Sequence, residues 1–232
     1  DGAYIGDGAY IGDASRKIGF TLEDTAKTND GVSYIGNLNH KRAMDLVIAS
    51  DYCPLNARLF ADFLREVRGG AYENKNVFDA KRNKVDSKRL KAVDDEITKV
   101  RSPYSGRWLS DKYEQKNDGM YVSFYVMKNG KPELLTEKLD EDTLMEDRTP
   151  GITPGIDINS WIKNPTNQGL PRKDIKKGDL YSWHPRNGSV ARFYADSDWA
   201  YLNCLGYPQY SDASLGVQFC IEGTQKIYYF TF

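Results

Sequence analysis

Residues Trp183 to Cys220 read WHPRNGSVARFYADSDWAYLNCLGYPQYSDASLGVQFC, and the fold turns on how that stretch is placed. From Tyr194 onward two kinds of residue alternate. Tyr194, Asp196, Asp198, Trp199, Tyr201, Asn203, Leu205, Tyr207, Tyr210 and Asp212 form one set, mostly large, polar or aromatic. Ala195, Ser197, Ala200, Leu202, Cys204, Gly206, Pro208, Ser211 and Ala213 form the other, small or apolar. A strand points successive side chains to opposite faces. Where the stretch is extended, the second set is expected to pack inward and the first to face solvent. Tyr and Trp offer wide amphipathic contact at low entropic cost, and Asp and Asn add adaptable hydrogen bonding. The same alternation also describes any half-buried antiparallel strand. The crowding of tyrosine favours a binding surface: Tyr181, Tyr194, Tyr201, Tyr207, Tyr210, Tyr228 and Tyr229, of 16 in the chain, lie in this last part. Exposed aromatics on that scale are what a domain with nothing to bind avoids.

The whole chain narrows the choices. Its 232 residues suffice for one substantial core. A net charge of −1 with 28% charged residues gives no field to attract nucleic acid or an anionic membrane. No apolar run is long enough to span a bilayer. The chain starts at Asp1, so a preceding segment stays open. Cys53, Cys204 and Cys220 are too few and odd in number for a disulfide framework. Buried thiols are the preferred reading, with a Cys204–Cys220 bridge as the alternative. With His40 and His184 the only histidines, no His-rich metal site is expected, and no cofactor.

Along the chain, DGAYIG occurs twice in tandem at the start, too short for a solenoid. An N-terminal arm over 1–30 and one domain over 31–232 are the expected division. Three helices are predicted. The first covers Asn39 to Ser50, with Ala43, Leu46 and Val47 on one side. The second carries Leu55, Leu59, Phe60, Phe63, Leu64 and Val67 and stops at Gly69-Gly70. The third runs from Ser87 to about Arg101, its Lys and Arg interleaved with Asp94, Asp95 and Glu96 on a solvated face. Tyr121 to Leu139 is a hairpin turning at Asn129-Gly130. A Pro- and Gly-rich stretch, Thr149 to Gly155, is read as irregular, and Gln225 to Phe232 as a strand pairing back into the sheet. Early helices followed by short strands and long loops make an α+β domain.

The segment Gly188 to Phe219 resembles the variable region of proteins diversified by diversity-generating retroelements. The frame is similar at Gly188-Ser189-Val190-Ala191-Arg192-Phe193, at the alternating small residues, and at Ser214-Leu215-Gly216-Val217. Template copying in that family scatters substitutions at adenines, typically of asparagine codons. Tyr, Asp, Asn, Leu and His are all reachable from such a codon, whereas Trp199 needs a lysine or arginine codon. The resemblance implies a C-type-lectin fold, of the formylglycine-generating-enzyme-like subtype, as in phage or archaeal-virus proteins. It implies a ligand-binding region at about 181–220, in which His184, Tyr194, Asp196, Asp198, Trp199, Tyr201, Asn203, Leu205, Tyr207, Tyr210 and Asp212 are the variable positions. Phe193, Ala195, Leu202, Val217 and Phe219 become their support.

The function so implied is non-enzymatic binding of a protein or carbohydrate on a host or cell surface, from a virion or cell surface. Neither nucleic acid nor membrane insertion is involved. The oligomeric state is open, a monomer being preferred. The calcium motifs of lectins are absent from the sequence. Two alternatives stand beside this. One is a fixed-specificity viral or cell-surface adhesin. The other is an enzyme on the same fold, using His184 as base or Cys204 as nucleophile; the formylglycine-generating type would need a reactive cysteine pair, for which Cys204 and Cys220 are the candidates.

Overall fold

Asn56 begins the helix on which the largest core is built. Its side-chain Oδ1 accepts from the Leu59 amide at 2.8 Å, and Phe60, Phe63, Leu64 and Val67 then recur on one buried stripe. In the computed structural model, which describes residues 25–27, 33–35, 38–49, 53–78, 84–99, 105–212, 215–217, 219–223 and 226–229, this helix runs Ala57–Tyr72. The preceding one is α1, His40–Ala49, so Ala57–Tyr72 is α2; α3 is Ser87–Thr98 and α4 is Ile158–Lys163. The glycine pair does not stop α2, as the sequence suggested. A Cβ on Gly70 would come within 2.4 Å of Leu90 Cδ1 and 2.7 Å of Val77 Cγ2, so the glycine lets α3 approach closely.

The strands in chain order are β1 Thr25–Lys27, β2 Ser33–Ile35, β3 Cys53–Pro54, β4 Ser105–Lys116, β5 Gly119–Lys128, β6 Lys131–Lys138 and β7 Gly155–Ile156. They continue with β8 Lys177–Gly178, β9 Leu180–Trp183, β10 Val190–Ala195, β11 Ala200–Gly206, β12 Leu215–Val217, β13 Phe219–Gly223 and β14 Lys226–Tyr229. The main sheet has the order β6-β5-β4-β10-β11-β9-β7-β8. β4 is long enough to hold two neighbours along one edge: β12 takes Gly106 to Trp108 in parallel, and β5 takes Lys112 to Lys116 antiparallel. β3, β13 and β14 form a separate three-stranded sheet, and β1 and β2 pair with each other. The terminal strand therefore joins the small sheet and not the main one. The β5–β6 hairpin turns at Asn129 and Gly130, both at positive φ (53° and 74°), as the primed turn of a two-residue hairpin requires. Helices with a large mixed sheet make the chain an α+β protein.

The sheet separates two apolar layers. Under α2, α3 and α4 lie Leu109, Ala191, Phe193, Ala195, Leu202 and Cys204, with Phe60 5.0 Å from Phe193 between ring centroids and Trp161 stacked on Phe193 at 6.4 Å. On the other face Trp108, Val190 and Leu215 pack against Leu38, Ala43, Met44 and Leu46 of α1 and its lead-in. Trp108 Nε1 donates to the Leu38 carbonyl at 2.8 Å.

One correction lies on α3. Asp94 is not on a solvated face. It is 2% exposed, and both its oxygens accept from Arg68 of α2 (2.9 and 2.8 Å) while Oδ2 also accepts the Tyr72 hydroxyl at 2.9 Å. The tandem repeat, Ser50, Val100, Arg101, Ala213, Ser214, Gln225 and Phe232 lie outside the described residues.

Two buried titratable groups, one in β4 and one bonded to its backbone, oppose each other. Asp111 accepts the Ala57 amide at the start of α2 at 2.7 Å, and burial pushes its carboxyl up to about 7 against that bond. His40 hydrogen-bonds the Leu109 carbonyl through Nε2 at 2.8 Å, and burial lowers it to about 4. The signs oppose. A carboxyl with a raised folded pKa stabilises fully below its unfolded value and loses that contribution as pH rises through 7. A histidine with a depressed folded pKa stabilises above 6.5 and loses it as pH falls through 4. Between those limits the two contributions offset each other. Asp111→Asn should therefore uncover the histidine, giving a Tm that climbs as pH rises from about 4 to 6.5. Parallel Tm–pH profiles for Asp111→Asn and the parent protein would show that Asp111 does not titrate in this way.

Candidate functional site

The site is carried by β9, β10 and β11, whose registers bring its side chains together. β11 pairs antiparallel with β10, setting Tyr201 opposite Tyr194 and Asn203 opposite Arg192. It pairs in parallel with β9, setting Tyr201 beside Tyr181 and Asn203 beside Trp183. One face of three adjacent strands thus holds Tyr181, Trp183, Arg192, Tyr194, Tyr201 and Asn203. The opposite face holds Phe193, Ala195, Ala200, Leu202 and Cys204, buried as the alternation predicts.

Tyr201 is the centre of an aromatic array. Its ring is 4.8 Å from Trp183 (interplanar 12°) and 4.7 Å from Tyr194 (25°), with Tyr181 at 6.2 Å. Trp199 meets Tyr181 edge-on at 5.0 Å. The array ends in a cation: the Arg192 guanidinium lies 4.9 Å from the Tyr194 ring, 5.3 Å from Tyr210 and 5.8 Å from Trp108. Burial, then the nearby Asp196 carboxylate, holds the Tyr201 phenol well above its ordinary range. Burial also raises Tyr194, with the Asn203 amide and the Arg192 guanidinium pulling the other way. Both phenols stay protonated and present hydroxyls as hydrogen-bonding groups.

The outward set divides into tiers. Tyr207 (75% exposed), Tyr210 (43%) and Trp199 (39%) face solvent, as does Asp198, while Tyr194, Asp196, Leu205 and Asp212 are half-buried. Tyr201 (6%) and Asn203 (7%) are buried, which corrects the expectation that the whole set points into solvent. The cause is the position of β11, flanked on both sides within the sheet: rings from both neighbours close over Tyr201. In the other set, Ser197 and Ser211 are exposed, because they fall in loops where strand alternation has ended.

Several candidate residues also shape the backbone. Asp196 Oδ1 accepts the amides of Asp198 (2.9 Å) and Trp199 (2.8 Å), which fixes the β10–β11 loop. Asn203 Oδ1 accepts the Leu205 amide at 2.8 Å. The Tyr210 hydroxyl donates to Asp212 at 3.2 Å. The turn after β11 is anchored where the His40 amide donates to the Pro208 carbonyl at 3.1 Å. The Ser189 hydroxyl in the frame lies 2.7 Å from the carbonyl oxygens of both Arg186 and Cys204, with one proton to share between them.

His184 sits in a clasp that the sequence did not reveal. Its Nδ1 is 2.6 Å from Asp147 Oδ1, which also accepts the His184 amide at 3.1 Å, and Arg186 donates to Asp147 Oδ2 at 2.7 Å. Among the described residues no hydroxyl or thiol is hydrogen-bonded to the His184 ring. Cys204 is buried beside Tyr113, and burial pushes its thiol up to about 12. A neutral thiol is a poor nucleophile, so iodoacetamide should leave Cys204 unmodified in the native protein and label it after denaturation. Rapid native labelling would show that the thiol is reachable and ionised.

Tyr181, Trp183 and Arg192 fall within the expected region at about 181–220 but outside its set of variable positions, Arg192 having been placed in the frame. Their signal was the i, i+2 spacing of Tyr181 with Trp183 and of Arg192 with Tyr194, which extends the outward register to both neighbouring strands. Among the described residues, no group of three or more His, Cys, Asp or Glu side chains could hold a metal ion, and no helix is long and apolar enough to cross a membrane. No family model, curated protein or solved structure matches the chain.

Proposed function

We propose that this chain is a non-enzymatic ligand- or receptor-binding protein with a C-type-lectin-like domain, whose surface at about 181–220 is diversified by retroelement-directed substitution. The observation that carries the reading is the division of one hairpin into two registers. Phe193, Ala195, Ala200, Leu202 and Cys204 make the frame, packed on α2 and α4. The residues reachable from asparagine codons gather on the opposite face and in the flanking loops. A surface that must accept many sequences needs its backbone held by other residues. Here the Ser189 bonds, the Pro208 anchor and the Leu215–Val217 strand supply such support.

The ligand is a protein or carbohydrate on a host or cell surface, met by a virion-borne or cell-surface protein. Broad aromatic faces and hydrogen-bonding hydroxyls suit either partner. The test is a library randomised at Asp198, Trp199, Tyr207 and Tyr210. Most members should melt within about 2 °C of the parent per substitution, since exposed changes cost roughly 0.5 kcal/mol or less. Selection on different cell surfaces should then enrich different sequences. Collapse of most members, or enrichment of the parent sequence alone, would defeat the proposal.

One observation favours a second reading, a fixed-specificity adhesin. Tyr201 is buried in a stack and Asp196 sets a loop, and such roles restrict substitution. An enzymatic reading draws less support: among the described residues no hydroxyl or thiol is hydrogen-bonded to the His184 ring, and the Cys204 thiol is buried and neutral.

A further inference from the structure

Two of the chain's 3 cysteines stand directly across from one another. β3 and β13 run antiparallel, with Phe219 opposite Pro54 and Cys220 opposite Cys53. Directly opposed residues of an antiparallel pair have Cα atoms about 4.5–5.5 Å apart and Cβ atoms on the same side of the sheet. Disulfides need Cα separations of about 4.4–6.8 Å, a spacing that this register allows. The Cys53 thiol here donates to the Pro54 carbonyl at 3.7 Å, so the bridge is the oxidised form of the same strand pair. Cys204 is placed differently, in β11 of the main sheet with Tyr113 beside it.

We propose that Cys53 and Cys220 form a cross-strand disulfide that fastens the C-terminal hairpin to the main core. The small sheet runs β14-β13-β3, so β3 is the strand through which the hairpin is joined. Cys53 lies within the main core, next in sequence to the lead-in of α2. A bond there ties the end of the chain to its principal helix layer and closes a loop of most of the sequence. Long loops are where a crosslink removes most entropy from the unfolded chain. Burial of Cys53 also shields the bond from reductants.

The chemistry is thiol–disulfide exchange with a small disulfide such as oxidised glutathione. One cysteine thiolate attacks a sulfur of the oxidant and releases a glutathione thiol. The second thiolate attacks the protein sulfur of the mixed disulfide and releases the other. The protein loses two electrons and two protons, and the oxidant takes them up. Nothing in this depends on what the aromatic face binds.

The test brings the intact chain to equilibrium in glutathione buffer with the oxidised form in excess, starting from both reduced and oxidised protein. Acid quenching, alkylation in denaturant and non-reducing peptide mapping follow. The expected product is about 2 Da lighter than the trithiol, with Cys53 and Cys220 in one linked peptide pair and Cys204 alkylated. Dithiothreitol should lower its Tm by on the order of 10 °C. That shift should vanish in Cys53→Ala and Cys220→Ala, which keep Cys204. Three alkylatable thiols from both starting points, or a bridge that includes Cys204, would overturn the proposal.

Discussion

Tyr201→Ala should lower stability by about 4 kcal/mol, the middle of the range for removing a large buried ring, and Tm by roughly 10 °C. The ring is 6% exposed and lies between Trp183 at 4.8 Å and Tyr194 at 4.7 Å. Truncation removes two ring contacts and leaves a void between strands that cannot close, because each strand is held in register on both sides. Tyr201→Phe keeps the ring and should cost under about 1 kcal/mol. Tyr207→Ala is the contrasting case. At 75% exposure it should change stability by no more than roughly 0.5 kcal/mol. Thermal melts of the three variants check this, and equal Tm values for Tyr201→Ala and Tyr207→Ala would remove Tyr201 from the interior. The consequence for function is a division of labour. Tyr207, Tyr210, Trp199 and Asp198 are free to set partner choice, while Tyr201 holds the platform from which they act.

Asp94→Ala should cost about 3 kcal/mol, as expected when one partner of a buried ion pair is removed. The carboxylate answers three hydrogen bonds, two from Arg68 and one from Tyr72. Without it the Arg68 side chain, 19% exposed, keeps its bond from Nε to Asn159 but loses its counter-charge. Replacing both members with apolar residues of similar size, Asp94→Leu with Arg68→Met, should regain most of the loss. Denaturant melts of the two variants decide it: a double variant no more stable than Asp94→Ala would mean that the pair contributes through its charges and not through packing. The effect reaches the site indirectly, since α2 and α3 support the layer beneath Phe193 and Leu202.

Much of this architecture was legible because local chemistry and final structure agree. The stripe of Phe60, Phe63, Leu64 and Val67 gave α2, and Asn129-Gly130 gave the β5–β6 turn. The inward register of β10 and β11 was readable because small and apolar residues sit there without interruption. Other features were hidden by tertiary causes. Gly69-Gly70 looks like a stop, but its purpose is the approach of Leu90. β4 was invisible because buried Arg107, Ser110 and Asp111 interrupt its apolar pattern. α4 has only six residues, too few for periodicity to show. Asp94 looked solvated because its partner is on another helix. Asp147 lies 37 positions from His184, and no local pattern links them. At the site, alternation told which face a residue takes but not what covers that face. Tyr201 and Asn203 were misjudged for that reason: the covering rings come from β9 and β10.

The most direct test of the central claim is deep sequencing of the region encoding 181–220 across the source population. The account predicts substitutions concentrated at His184, Tyr194, Asp196, Asp198, Tyr201, Asn203, Leu205, Tyr207, Tyr210 and Asp212. Asp198, Tyr207 and Tyr210 should vary most widely, and Tyr201 should be held mainly to large rings. Phe193, Ala195, Ala200, Leu202, Cys204 and Gly206 should stay fixed. Equal variation in both registers, or variation in neither, would contradict a diversified binding surface.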